Sequence, residues 1–481
     1  MKFIPHDSRA ANYLNALEDA HDKSTSDKNN TLNHVENYLE KWENTRKDPE
    51  TIDEKLAHLG MKLSHAASEG DAEQVKKLES EFQQLAEQHP QSTLMKSVTG
   101  YMKNHSVPGY DYRNWKDHSS GLQFGMIKAT LDDDATIGII GDWGTGDPDA
   151  QALLQEMKDD FNPDIYIHLG DIYRSCRYHK DVLPNFINIF DAVYPPVNGK
   201  PTRPPILTIA GNHDYMSNGG YGFFKLLDTV NAHHPSWKQE ASYFCLRTKS
   251  NKWQFLGADT GINDPSYTHK NEHPGLEPDE YTWHYDKLKN FTNKGKGRTI
   301  FMTHHPLFSA THRLQENEYV NHDLAQHFCG YMKGGSVQPD EIRLWLWGHN
   351  HWFIPYVNTA IINPSPGVSG MMDKGRLLGG SARHDYHTSS EIVKSGQHVI
   401  NYQDSNGNNK PLVPDFNNNL PNHTYAIMKL SDADAEITYY QTPAWQYNDN
   451  NPVKKLPGNQ HRVLLREYVL NTKPSQKYVK Q

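Results

Sequence analysis

Cysteine is scarce: Cys176, Cys245 and Cys329 are the only three in 481 residues. An odd, scattered set argues against a disulfide framework and for a reducing compartment. Long apolar runs are missing too. No stretch approaches the roughly 18 apolar residues of a membrane span, and the mean hydropathy is −0.82. The opening MKFIPHDSRAANYL lacks the apolar core of a secretory signal. A cytoplasmic protein starting at Met1 is therefore expected, with export by an unrecognised route as the alternative. Basic excess is lacking as well. The formal net charge is −9, whereas nucleic-acid binders carry a basic face, so no nucleic acid is expected.

What is present is a long chain, 36% hydrophobic and 22% charged, enough for one large domain with an accessory one, or two to three domains. Twenty-eight histidines exceed ordinary surface use and leave some available as ligands. Ile52, Leu56, Leu59, Leu63 and Ala66 recur at helical spacing, as do Val75, Leu78, Phe82 and Leu85. Asp71 and Gln74 between them are spaced like a capping box. The pattern predicts a helical hairpin within an N-terminal extension, residues 1–125, that packs on the main domain or docks a protein partner.

From about residue 131 the texture changes to short apolar runs. ATIGII, DIYIHL, PILTIA, RTIFMT and RLWLW read as strands buried on both faces. A helix is predicted over 148–160, with Asp147 as N-cap and Pro148 in its first turn. ASYFCLR, WQFLGAD and the later YAIMKL and EITYYQ predict a second sheet. Residues 373–422, rich in Gly, Asn and His, read as loop. The domains expected are thus 1–125, a catalytic domain over 131–445, and a polar tail over 446–481.

Each of the five strands ends in a polar signature: GDWG (141–144), GDIY (170–173), GNHD (211–214), THHP (303–306) and GHNH (348–351). Ligands of open α/β sheets gather beyond the carboxyl ends of strands, so five tips can meet at one site. The donors there are carboxylates, an amide oxygen and imidazoles, without thiolate. That set suits Mn, Fe or Zn. It is too large for one ion and right for two sharing a bridging carboxylate. Two cations about 3.5–4 Å apart can bind both an attacking hydroxide and a phosphoryl oxygen.

These signatures together resemble the calcineurin-like metallophosphoesterase superfamily, and the GDxG opening resembles its purple acid phosphatase branch. The resemblance covers roughly residues 133–442. It implies a two-sheet α/β/β/α sandwich, here with the N-terminal helical extension. It implies a first metal on Asp142 and His351, a second on Asn212, His304 and His349, and Asp171 bridging them. His213 would donate a proton to the leaving oxygen or stabilise the phosphoryl charge, oriented by Asp214. The activity implied is hydrolysis of phosphomonoesters by in-line attack of a metal-bound hydroxide on a phosphorylated small molecule or protein. Alternatives are a phosphodiesterase on nucleotides or lipids, a protein phosphatase, or a catalytically dead core serving as a scaffold.

One position departs from the purple branch, which reads GDxxY with a tyrosinate on ferric iron. Here Tyr173 comes one residue early and Arg174 takes its place. The offset predicts that Tyr173 points elsewhere, leaving a colourless site with a near-neutral optimum, with Tyr173 as a ligand after all as the alternative. Arg174 resembles the arginine with which protein phosphatases of the superfamily grip phosphate. His305 is expected to face away from the metals or stand behind their ligands, His168 to be a core residue and Trp143 to pack beside the site. Arg383, His384 and His387 are candidates to line a substrate cleft.

Overall fold

The apolar runs become strands, but they divide between two sheets. The structure, a computed structural model, describes residues 112–470 except 174–175, 216–219, 265–273, 310–319, 333–340, 357–360, 366–367, 372, 384–398, 405, 418–419, 449–450 and 456–461, together with scattered positions between 52 and 89. The first sheet begins with three parallel strands, β1 (Thr136–Ile140), β2 (Ile165–His168) and β3 (Ile206–Thr208). The second holds β4 (Phe244–Arg247), β5 (Gln254–Gly257), β6 (Thr299–Thr303), β7 (Ile342–Trp347), β8 (Phe353–Pro355) and β9 (Lys374–Leu378). The chain then returns to the first sheet as β10 (His423–Leu430), β11 (Ala435–Thr442) and β12 (Arg462–Tyr468). The spatial orders are β12–β11–β10–β1–β2–β3 and β4–β5–β6–β7–β9–β8.

Side-chain alternation along each strand builds the layers. Ile137 and Ile139 of β1 and Ile165 and Ile167 of β2 pack between the sheets with Phe255, Ile300, Met302, Leu344 and Leu346. The alternate positions Ile140 and Tyr166 face α1 (Pro148–Phe161), α2 (Asn188–Val193) and α3 (Tyr221–Thr229). On the far side, Phe301, Trp345 and Trp347 face α4 (Pro278–Lys289) and α5 (His322–Phe328). Burial on both faces explains the nearly continuous apolar runs. The four layers make the α/β/β/α sandwich.

Several local expectations are revised. Pro148 opens α1 and Asp147 occupies the N-cap position, yet its side chain makes no capping hydrogen bond. YAIMKL and EITYYQ belong to β10 and β11, which extend the first sheet by antiparallel pairing to β1. It is RTIFMT and RLWLW that join the second sheet. Periodicity marks a strand but not its partner, and β1 accepts β10 on the side that β2 leaves open. The segment read as a polar tail contains β12, where Leu464 and Leu465 are buried. Its Glu467 receives two bonds from Arg376 of β9, at 2.8 and 2.6 Å, and so ties the sheets together. The segment read as loop contains β9 and a short antiparallel pair, Asn401–Gln403 with Asn409–Pro411.

At the other end, Phe124, Ile127 and Leu131 are buried in the two cores. The Ile127 N–H donates to the Cys245 carbonyl at 2.9 Å. Upstream, Ile52, Leu56, Leu59, Leu78 and Leu85 are helical where described; Leu63, Ala66, Asp71, Gln74, Val75 and Phe82 lie outside the described residues. No helix among the described residues is long and apolar enough to cross a membrane.

Candidate metal centre

Strands of both sheets end at one place. Beyond β1, β2 and β3 come Asp142, Asp171 and Asn212; beyond β6 and β7 come His304, His349 and His351. The backbone turns there are unusual. Asp142, Asp171 and His349 hold φ angles of 54°, 68° and 74°, left-handed values for residues with side chains. Asp and His tolerate this region better than most, but strain of order 1–3 kcal/mol per residue persists only where surrounding structure enforces it. The surroundings do so here: the Asp142 N–H donates to the Gly170 carbonyl at 3.1 Å, the His349 N–H to Asp142 Oδ2 at 2.9 Å, and the His213 N–H to Asp171 Oδ1 at 2.9 Å. Glycine is required at Gly170, where φ is 96° and an added Cβ would stand 2.7 Å from His304 Nδ1. At Gly211 it would run into the Asp171 carboxylate.

The donor atoms fall into two overlapping groups. In one, His351 Nε2 lies 3.5 Å from Asp142 Oδ1. In the other, Asn212 Oδ1 lies 3.0 Å from His304 Nε2 and 3.2 Å from His349 Nδ1. Asp171 Oδ2 reaches His304 Nε2 at 3.5 Å and so stands beside the second group. Asp142, Asp171 and His304 can each offer one ligand atom within 4.8 Å of the others, as can His304, His305 and His349.

The electrostatics suit cations. Asp142 and Asp171 are both buried. Burial pushes the Asp171 carboxyl well up, and the neighbouring Asp142 and Asp214 push it further. Divalent cations would offset both effects. Burial holds His304 down to about 4, so its ring is neutral and keeps a lone pair. Its Nδ1 lies 2.9 Å from the Leu169 carbonyl, which fixes the proton there and leaves Nε2 facing the cluster. Carboxylate, amide and neutral imidazole donors fit Mn, Fe or Zn.

Tyr173 overturns the expectation drawn from its offset. Its hydroxyl lies 3.0 Å from Asp142 Oδ1, 3.2 Å from Asp171 Oδ2 and 2.9 Å from His351 Nε2. Strand alternation does not apply because β2 has already ended at His168, and the left-handed turn at Asp171 redirects the chain from Ile172 onward. The Tyr173 N–H then donates to the Gly144 carbonyl at 2.8 Å, and Asn185 Nδ2 donates to the Tyr173 carbonyl at 2.6 Å. Burial and the two carboxylates hold the phenol well above its ordinary pKa.

The half-buried His213 ring lies 4.7 Å from that of Tyr173, with Nε2 4.0 Å from Asp171 Oδ2. The Asp214 carboxylate accepts the backbone N–H groups of Gly211, Asp171 and Ile172 at 2.7, 2.9 and 3.1 Å, so it fixes the loop that carries His213. Burial pushes the Asp214 carboxyl up to about 6, against those three N–H groups.

His305 stands beside His349, ring centres 4.6 Å apart, with Nδ1 2.9 Å from Thr260 Oγ1 and Nε2 2.8 Å from Asp264 Oδ2. Thr260 and Asp264 carry no sequence signature and were not anticipated. His168 is buried with Nδ1 on Thr208 Oγ1 at 2.9 Å. Trp143 packs on Phe186 and Phe190 and donates to the Ala150 carbonyl at 2.9 Å. Arg383 lies over the Tyr173 ring. Arg174, His384 and His387 lie outside the described residues.

Residues 135–353 match the calcineurin-like phosphoesterase family. The span contains all six expected metal ligands and both His213 and Tyr173; β9 to β12 and Arg383 lie beyond it. The match supports the superfamily and, with it, metal-dependent hydrolysis of phosphoesters. No curated protein matches the chain.

Proposed function

We propose that this protein is a phosphatase that hydrolyses phosphomonoesters at a two-metal centre. Asp142, His351 and Tyr173 would hold one ion, Asn212, His304 and His349 the other, and Asp171 would be shared between them. One observation carries the reading: these side chains, delivered by strand tips of two sheets, converge where Asp142, Asp171 and His349 are held in left-handed backbone geometry. When bound, two cations supply an activated water and neutralise charge on the phosphoryl oxygens.

The protein's own residues do the rest. Leu169 sets the His304 tautomer, and Asp214 rigidifies the loop from Gly211 to His213. His213, partly open to solvent, donates a proton from its ring to the departing oxygen. Trp143 and the two cores exclude water behind the carboxylates.

The test is a panel of aryl phosphate monoesters and diesters assayed with added Mn²⁺, Zn²⁺ and iron, alongside metal content. Near two metals per chain and monoester turnover are expected. Purified protein with far less than two metals and no turnover would make this core a scaffold instead.

A further inference from the structure

Beyond the span of the family match, β9 brings one cation to the rim of the centre. β9 ends at Leu378, and the next residue, Gly379, is so close to Asp142 that an added Cβ would stand 2.9 Å from Oδ2. Ser381 is then locked in place. Its N–H donates to the Gly141 carbonyl at 3.1 Å, and its Oγ accepts the Gly141 N–H at 2.9 Å and donates to the Thr424 carbonyl at 2.7 Å. Ala382 is fully buried. Arg383 thus leaves a rigid segment anchored to the residue before Asp142.

Its guanidinium carbon lies 5.1 Å from the centre of the Tyr173 ring, whose hydroxyl reaches both Asp142 and Asp171. Nε of Arg383 is buried and has no hydrogen-bond partner among the described residues, although the residue as a whole is only half-buried. A charged donor withdrawn from water without an acceptor is costly. The cost is removed if an anion arrives between the guanidinium and the centre. Cations held there would repel the guanidinium beyond what Asp142 and Asp171 offset, and an intervening anion would answer both.

We propose that Arg383 clamps the non-bridging oxygens of the substrate's phosphoryl group and thereby selects dianionic monoesters over monoanionic diesters. This rests on the phosphoesterase reading above. The planar fork suits two phosphoryl oxygens at once, which a point charge does not. A diester offers one such charge fewer and gains less from the contact. The competing role is structural, with Arg383 merely stacked on Tyr173.

Metal-loaded wild type, Arg383→Ala, Arg383→Gln and Arg383→Lys are compared on an aryl monoester and a matching diester. Metal content and calorimetric titration with inorganic phosphate are measured on the same samples. Loss of the clamp should raise the monoester KM and weaken inorganic phosphate by about 10- to 100-fold. The metals should stay bound, the diester should change by less than about threefold, and guanidinium ion should restore part of the monoester rate. Lysine should recover little.

Unchanged monoester KM and phosphate affinity in a variant with both metals would overturn the clamp. So would equal losses on both esters, or loss of the metals themselves. A wild type that turns over neither ester would sink the phosphatase reading separately. The phosphate titration still decides Arg383 then, because anion capture needs no turnover. Phosphate that fails to bind metal-loaded wild type overturns the clamp as well.

Discussion

Among the buried carboxylates described, two pairs have neighbours that differ in kind. Asp142 and Asp171 stand at strand tips of the first sheet among the imidazoles of His304, His349 and His351. Asp259, just beyond β5, and Glu280 of α4 belong to the second sheet's side and are equally buried. Tyr215 donates to Asp259 Oδ2 at 2.5 Å, and the Gly261 and Ile262 N–H groups donate to Oδ1 at 3.0 and 3.2 Å. Tyr112 donates to Glu280 Oε2 at 3.0 Å, and Oε1 accepts the Asp259 N–H at 2.8 Å. Burial moves Glu280 up and its neighbour His284 down to about 3, so both favour their neutral forms.

The contrast separates burial from function. Asp171 of one pair and both members of the other have raised carboxyl pKa values, so perturbation alone does not mark a site. The metal-centre pair adds lone-pair donors and left-handed backbone at both of its members, whereas neither Asp259 nor Glu280 is left-handed. The other pair is answered mainly by phenols and amides, which donate protons, with the His284 ring standing 3.2 Å from Glu280 Oε1.

Substitution should separate the pairs most sharply. Asp171→Asn removes the anion shared by both halves of the centre, and we expect bound metal to fall and aryl phosphate turnover to drop below detection. Asp259→Asn should keep metal and turnover. Equal metal loss in both variants would erase the distinction drawn between the pairs. His213→Ala is the next largest effect: turnover should fall by roughly 10²–10⁴ with metal retained. A His213→Ala enzyme of wild-type rate would remove this ring from the reaction.

Tyr173 tests the boundary between the two kinds of neighbour, since it is a phenol placed among metal donors. We expect Tyr173→Phe to reduce metal affinity by about 10- to 100-fold. Iron-loaded wild type should show a visible tyrosinate-to-iron band that the variant lacks. A colourless ferric protein would make Tyr173 a hydrogen-bond donor only, like Tyr112 and Tyr215. Removing Tyr112 breaks the other pair instead. A chain starting at residue 126 also loses Trp115, which donates to the Asp279 carbonyl at 2.8 Å, and Phe124, which is buried in the core. That chain should be less stable by about 3–5 kcal/mol in urea unfolding. One starting at 111 should match the full chain in stability and aryl phosphate turnover.

How much of this the sequence carries depends on the kind of information. The strand tips were legible because glycine precedes each of Asp142, Asp171, Asn212 and His349 directly after an apolar run. Sheet membership was not, because periodicity says nothing about which edge β10 joins. Tyr173 was misplaced because two successive left-handed residues, Gly170 and Asp171, redirect the chain, and Gly-Asp is too common to announce such a turn. Glu280 reads as an ordinary acid in the first turn of a helix, and only packing against Asp259 and Tyr112 reveals it. β12 had a signal, the apolar trio Val463, Leu464 and Leu465, which the polar residues around it outweighed.

The smallest effect is a pH dependence that belongs to the second pair. Burial raises Asp259 to about 6, against hydrogen bonds from Tyr215 and two amides that pull it down, from an unfolded value of about 4. Between these values the native state binds more protons than the unfolded chain, so stability falls as pH rises. The contribution is fully present below about 4 and lost once pH has climbed through about 6. In Asp259→Asn the side-chain amide does not titrate; its oxygen can still accept the Gly261 and Ile262 N–H groups, and its NH2 can donate to the Tyr215 hydroxyl. Urea unfolding of metal-loaded protein from pH 4 to 8 should therefore show Asp259→Asn gaining on wild type across that window and holding its gain above it. A constant difference at every pH would mean that Asp259 stays ionised in the fold, and that its phenol and amide donors stabilise charge as a metal would.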